Sequence, residues 1–245
     1  MSKHTNIKNF DKSKRYKKSK RRAHSRHIKA VLCLCCCVML IAAAFRFFKY
    51  ESPSPPNDTE ESTWSLILVN KWNYIPDNYK VKLTELKNGE AVDERIYHAL
   101  QKMFNDARKD HIYPVVASGY RTAEKQQELM DEKIAAYESE GYSSDEAKSK
   151  AEAWVAIPGT SEHQLGLSVD INADGIRSTG DDVYEWLHEN SYKYGFIYRY
   201  PKNKTDITGV INEPWHYRYV GTEAAAKIHE QDICLEEYLE LQNGI

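Results

Sequence analysis

The alternation of apolar and polar positions divides the chain into stretches of different period. The first apolar stretch is unbroken: residues 30–45 carry no charge, Lys29 and Arg46 flank them, and Phe47 and Phe48 follow. These 16 uncharged residues fall slightly short of the ~17–25 that span a bilayer, and snorkelling by Lys29 and Arg46 extends residues 30–48 to one full span. Residues 49–63, rich in Pro, Ser and acids, predict an extended linker. At about 5–6 Å × √n such a linker typically spans about 20 Å. From Trp64 onward the pattern is that of a folded domain. Ser65-Leu-Ile-Leu-Val-Asn70 predicts a short buried strand, and Val92, Ile96, Leu100, Met103 and Ala107 recur at helical spacing, predicting an amphipathic helix of about 18 residues. Tyr113–Ala117 predicts a strand, Thr122 caps a helix running to about Glu140, and Ser143 with Glu146 forms a capping-box pattern for a helix ending before Pro158. Leu167, Val169 and Ile171 alternate with Ser168 and Asp170 as in a half-buried strand. Residues 181–194 predict a helix stopped by Gly195, 196–200 and 215–220 predict aromatic-rich strands, and 223–241 predict one final helix. Helices early and strands late predict the α+β class: a single domain over 64–245 with a small antiparallel sheet flanked by helices.

Charge sharpens this layout. The total of 34 basic and 36 acidic side chains nearly cancels, but residues 1–49 hold 14 Lys/Arg against one acid, Asp11, leaving about −15 for the remainder. A basic tail over 1–29 could on its own suggest nucleic-acid binding, yet the apolar run beside it reads as an orientation signal instead. The tail is expected to stay in the cytoplasm, with 30–48 as a membrane anchor and the domain outside. Ala42 and Ala44 fit the alternative of a cleaved signal peptide, which would secrete the same domain; the long basic stretch ahead of the apolar run favours the anchor. Cys33, Cys35, Cys36 and Cys37 fall inside the apolar run, as small hydrophobes or palmitoylation sites, and Cys234 stands by itself in the domain, so no disulfide within the domain is expected. Acids outside the motifs below read as solvated helix faces.

Two histidines of the domain sit in distinctive settings: Ser161-Glu-His163-Gln-Leu-Gly166-Leu-Ser-Val-Asp170, and Glu213-Pro-Trp-His216. No H-E-x-x-H helix is present. Gly166 permits a sharp turn that could bring His163 and Asp170 to one point. Two imidazoles and one carboxylate suit zinc and leave a fourth position for water, the catalytic arrangement. Glu213 could serve as general base if Pro214 breaks the strand, since residues 213 and 216 of an ideal strand point to opposite faces. By residue arithmetic, however, a His–Asp pair seven apart is more often structural, and Trp215 could be core.

Taken together, Ser118-Gly-Tyr-Arg121-Thr, then Gln126, then Ser161-x-His163-x-x-Gly166-x-Ser168-x-Asp170, then Glu213-x-Trp215-His216 resemble the VanY-type D-alanyl-D-alanine carboxypeptidases. These are M15-family zinc peptidases of the bacterial cell wall, related to L,D-carboxypeptidases of the LdcB type. The likeness runs from about Leu66 to Tyr219 and includes Val69-Asn70-Lys71; Ser168 departs from the family's usual alanine. The resemblance implies His163, Asp170 and His216 as zinc ligands and Glu213 as the base. It also implies Arg121 as the group that binds a developing oxyanion or a peptide carboxylate, and Ser118, Gln126 and Ser161 as residues that hold the substrate. The implied reaction removes the last D-alanine from peptidoglycan stem peptides or their precursor. Rival readings are an L,D-carboxypeptidase or endopeptidase acting on the same stems, or a zinc-stabilised wall-binding module without turnover. A nucleic-acid partner is not expected, and the sequence carries no sign of oligomeric state.

Overall fold

The computed structural model describes residues 64–244, all within the unit Pro56–Ile245. The expected basic tail (1–29), anchor (30–48) and linker (49–63) lie outside the described residues. Among the described residues no helix is long and apolar enough to cross a membrane.

The fold is α+β. A hairpin of β1 (Leu83–Glu85) and β2 (Ala91–Asp93) precedes helix α1 (Glu94–Lys109), which Asp93 caps by accepting from the Arg95 amide. Strand β3 (Pro114–Ser118) leads to α2 (Ala123–Ser139), capped by Thr122, and α3 (Ser144–Ala151), opened by the Ser143–Glu146 capping box. Then follow β4 (Ser168–Ala173), α4 (Gly180–Asn190), β5 (Phe196–Tyr198), the short α5 (Thr205–Thr208), β6 (His216–Tyr219), α6 (Thr222–Gln231) and α7 (Leu235–Gln242). Four strands form one antiparallel sheet in the order β3-β4-β6-β5.

Alternation along the central strands separates two environments. Val169 and Ile171 of β4, Tyr217 and Tyr219 of β6 and Phe196 of β5 join the main core with Ile96, Leu100 and Met103 of α1 and Val183 and Leu187 of α4. The opposite face carries Ser168, Asp170, Arg199, His216 and Arg218, nearly all of them buried. The strand read as half-buried is thus covered on both faces over most of its length, one side apolar and the other polar. That polar face is where the candidate chemistry gathers.

Several expected elements differ: Val92, read as the first apolar position of the helix, lies in β2, and the helix read over 181–194 ends at Asn190 and continues as a 3-10 turn, Ser191–Tyr194. The run Ser65–Asn70 forms no strand. Its carbonyls at Ser65 and Ile67 accept from the buried Arg218 guanidinium at 2.9 and 3.0 Å, so a side chain takes the place of a neighbouring strand. The final helix is two: Asp232 adopts a left-handed conformation (φ 50°), and Cys234 with Glu237 starts α7 afresh. The hairpin β1–β2 was not anticipated, although the Asn88-Gly89 pair between its strands is a turn signal.

Candidate metal centre

Ser118, Asp170 and His216 stand in one row across β3, β4 and β6: Ser118 pairs with Asp170 beyond a bulge in β3, and Asp170 pairs with His216. Cross-strand partners on one face bring their side chains together. His163 arrives from a 3-10 turn, Glu162–Leu165, that ends at Gly166 with φ 71°. A Cβ at Gly166 would lie 3.0 Å from the Asp93 amide nitrogen, which itself donates to the Gly166 carbonyl, so the turn is docked on β2 where a side chain would interfere.

The ring nitrogens have distinct partners. His163 Nδ1 lies 2.7 Å from the Gly119 carbonyl oxygen. A carbonyl can only accept, so Nδ1 bears the hydrogen and Nε2 is left with its lone pair, 3.3 Å from Asp170 Oδ1. His216 reaches the same Asp170 Oδ1 through Nδ1 at 3.1 Å, and its Nε2 lies 3.3 Å from Glu162 Oε2. One ligand atom from each of His163, Asp170 and His216 falls within 4.8 Å of the others. Burial lowers the His163 pKa, keeping that ring neutral. Burial also opposes charge on His216, but hydrogen bonds to Asp170 and Glu162 overcome it and push its pKa up to about 9. Burial raises Asp170 in turn, and the two histidines outweigh it to hold the carboxyl well below the usual range. Two imidazoles and an ionised carboxylate, with anionic groups around them, form a donor set that fits a divalent cation of the zinc type.

The surrounding residues are placed as follows. Arg121 Nη2 donates to Asp170 Oδ2 at 2.6 Å and its Nε to Ser118 Oγ at 2.9 Å, so Ser118 meets the site through Arg121. Glu213 precedes β6 in a turn closed by the His216 amide donating to the Glu213 carbonyl, the break expected at Pro214. Its Oε2 is 3.8 Å from His216 Nδ1, and burial pushes its pKa up to about 7. Arg121, Gln126, Ser161 and Glu213 all line one pocket of about 480 Å³ that contains the His163–Asp170–His216 cluster. Gln126, on the first turn of α2, donates through Nε2 to the Ala156 carbonyl at 2.8 Å; its buried Oε1 has no hydrogen-bond partner among the described residues.

Sequence reasoning missed Glu162, Arg199, Arg218 and Glu236, which are buried charges and not solvated faces. Arg199 and Arg218 stand in the two aromatic-rich stretches at polar positions between apolar neighbours, the one signal that could have singled them out.

A family model described as VanY, D-alanyl-D-alanine carboxypeptidase, matches residues 89–222. The chain belongs to the VanY family. It is 67% identical over 180 residues to a D-alanyl-D-alanine carboxypeptidase of Enterococcus faecalis (strain ATCC 700802 / V583), an alignment covering 74% of this chain and 67% of that protein. Its fold matches a mutant of the vancomycin-resistance D,D-pentapeptidase VanY from a VanB-type cassette, in complex with Zn(II), at a TM-score of 0.71 and 68% identity, covering 72% of this chain and 99% of the other. It matches VanYB in complex with D-alanine-D-alanine equally well, at a TM-score of 0.71 and 67% identity over 72% of this chain and 98% of the other.

Proposed function

We propose that this chain is a zinc D,D-carboxypeptidase that hydrolyses the terminal D-Ala-D-Ala bond of peptidoglycan stem peptides. The observation that carries it is the convergence of His163, Asp170 and His216 beside Glu213 in a chain 67% identical to a D-alanyl-D-alanine carboxypeptidase. Zinc held by His163, Asp170 and His216 would supply a Lewis acid that polarises the scissile carbonyl and lowers the pKa of water.

The chain's own residues do the rest. The Glu213 carboxylate, with a pKa near the working pH, takes a proton from the attacking water and returns it to the nitrogen of the leaving D-alanine. Arg121, held by Ser118 and Asp170, presents a fixed positive charge to the substrate oxygens at that end, either the carbonyl oxygen as it gains charge or the terminal carboxylate. Gln126 Oε1 is a buried acceptor that lacks a donor, and an amide N–H of the bound peptide would satisfy it. Ser161 forms the adjoining wall. A general base beside the cluster counts against a purely structural zinc module.

The proposal extends to location: residues 30–48 anchor the chain, 1–29 stay in the cytoplasm and 49–63 tether the domain 64–245 outside, where peptidoglycan lies. The support is the charge-free run 30–45 preceded by nearly all of the basic excess.

Incubating the full chain with pentapeptide and tetrapeptide stems and identifying the fragments tests the substrate. Release of one D-alanine from the pentapeptide is expected. Release from the tetrapeptide but not the pentapeptide would make it an L,D-carboxypeptidase.

A further inference from the structure

Beside the ligand cluster lies a second group of charges shut away from solvent. Glu162, whose side chain has no exposure, accepts through Oε1 from Arg199 Nε at 2.8 Å and lies 3.2 Å from Arg218 Nη1, near enough for attraction though not aligned as a hydrogen bond. Its Oε2 accepts from Ser168 Oγ at 3.0 Å and lies 3.3 Å from His216 Nε2. Arg199 uses Nη1 and Nη2 on Glu236, at 2.8 and 2.7 Å, and Glu236 also accepts from Asn70 Nδ2 at 3.0 Å. Two carboxylates thus balance two guanidiniums in a dry interior.

We propose that Glu162 is a positioning residue for His216: its Oε2 accepts the Nε2 hydrogen, turns the bare Nδ1 toward Asp170 and His163, and thereby sets the metal affinity of the site. This rests on the reading that His163, Asp170 and His216 hold zinc. His216 Nδ1 and His163 Nε2 face the same Asp170 oxygen, at 3.1 and 3.3 Å, so a cation held by the three would take His216 through Nδ1 and leave the one N–H of the neutral ring on Nε2, facing Glu162. Each Glu162 oxygen faces a donor of its own, Arg199 Nε at Oε1 and Ser168 Oγ at Oε2, so the carboxyl group stands as an acceptor beside the ring.

The two histidines are therefore set in opposite senses. His163 spends Nδ1 on the Gly119 carbonyl and offers Nε2, whereas His216 spends Nε2 on Glu162 and offers Nδ1. Both oxygens of Glu162 are held, one by Arg199 and the other by Ser168, so the carboxylate cannot rotate away from the ring. Ser168, which departs from the alanine of the resembled pattern, has a partner here in Glu162. Partners of this kind on ligating imidazoles fix the tautomer and raise ligand basicity.

The test compares the full-length protein with Glu162→Gln, both stripped of metal, by competing zinc against a chromophoric chelator. Zinc binding is expected to weaken about 10–100-fold, with an altered absorption spectrum of the cobalt(II) form. Thermal unfolding of the metal-free forms reads the structural cost separately. A folded variant with a lower Tm but a zinc Kd within twofold of the parent would overturn the proposal while leaving the zinc reading intact. Should Glu162→Gln not fold, ¹⁵N-histidine NMR of the zinc-loaded parent decides: Nε2–H with metal-bound Nδ1 at His216 supports it, and metal-bound Nε2 overturns it. A parent that takes up no zinc through its histidines would remove both readings together.

Discussion

Asp170 and His216 are register partners across the two central strands, and Asp170 Oδ1 lies 3.1 Å from His216 Nδ1. Two of the three candidate ligands thus sit on paired backbone, and their separation is set by the sheet. His163 comes from a turn, but the Gly119 carbonyl at the end of β3 and the Asp170 carboxylate fix its ring from two sides. Backbone pairing and these contacts fix the three donors relative to one another, an arrangement that favours tight metal binding and fast chemistry.

Glu213 is assigned a proton-transfer role and no ligand role. Glu213→Ala is expected to retain about one zinc per chain by metal analysis while losing at least about 10²-fold in kcat, the usual size of a general-base contribution. Full activity in that variant would remove Glu213 from the mechanism.

Gln126 lines the pocket, anchors its amide N–H on the Ala156 carbonyl and keeps a buried Oε1 without a donor among the described residues. Gln126→Met keeps the volume and removes the acceptor. A rise in KM equivalent to about 1–2 kcal/mol, roughly 5–30-fold, is expected from steady-state kinetics on the pentapeptide. An unchanged kcat/KM would show that the substrate N–H goes elsewhere.

Gly119 has a different importance, since its carbonyl holds His163 and its Cα packs on the hairpin. A Cβ there would come 2.2 Å from the Ala91 carbonyl oxygen, which is backbone and cannot turn aside. Gly119→Ala is expected to cost about 1–3 kcal/mol in denaturant unfolding of the metal-free protein and to weaken zinc binding as the carbonyl moves off His163 Nδ1. A variant of parental stability would contradict this.

Cys234, buried at the start of α7, has its thiol pushed by burial from an ordinary value of 9.0 up to about 12. The thiolate is the reactive form, so iodoacetamide at pH 8 should leave Cys234 unlabelled in the folded protein and label it in denaturant, as read by peptide mass mapping. The unfolded chain releases this proton near pH 9 and the folded chain near 12, so the linked stability is whole below 9 and is lost as pH rises through that window.

Much of the helical architecture could be read from the chain because it is written locally. Thr122, Ser143 and Glu146 cap where expected, and Ile96, Leu100, Met103 and Ala107 form the buried stripe of α1. The motif residues could be named as a resemblance, but their meeting point depends on the pairing of β4 with β6 and on the turn at Gly166, neither of which periodicity contains. Least legible was the buried charge group. Glu162, Arg199, Arg218 and Glu236 come from four segments and balance one another only once folded, whereas one at a time each has the composition of a surface residue. The strand expected at Ser65–Asn70 failed for the same reason: Arg218, distant in sequence, serves its carbonyls.

The central claim is that one zinc ion held by His163, Asp170 and His216 makes this chain release D-alanine. Zinc should be titrated into the metal-stripped full chain while D-alanine release from a pentapeptide stem is followed. The account predicts no release without metal and a rate that rises linearly and levels off at about one zinc per chain. Release by the fully stripped protein, or none with one zinc bound, would contradict it.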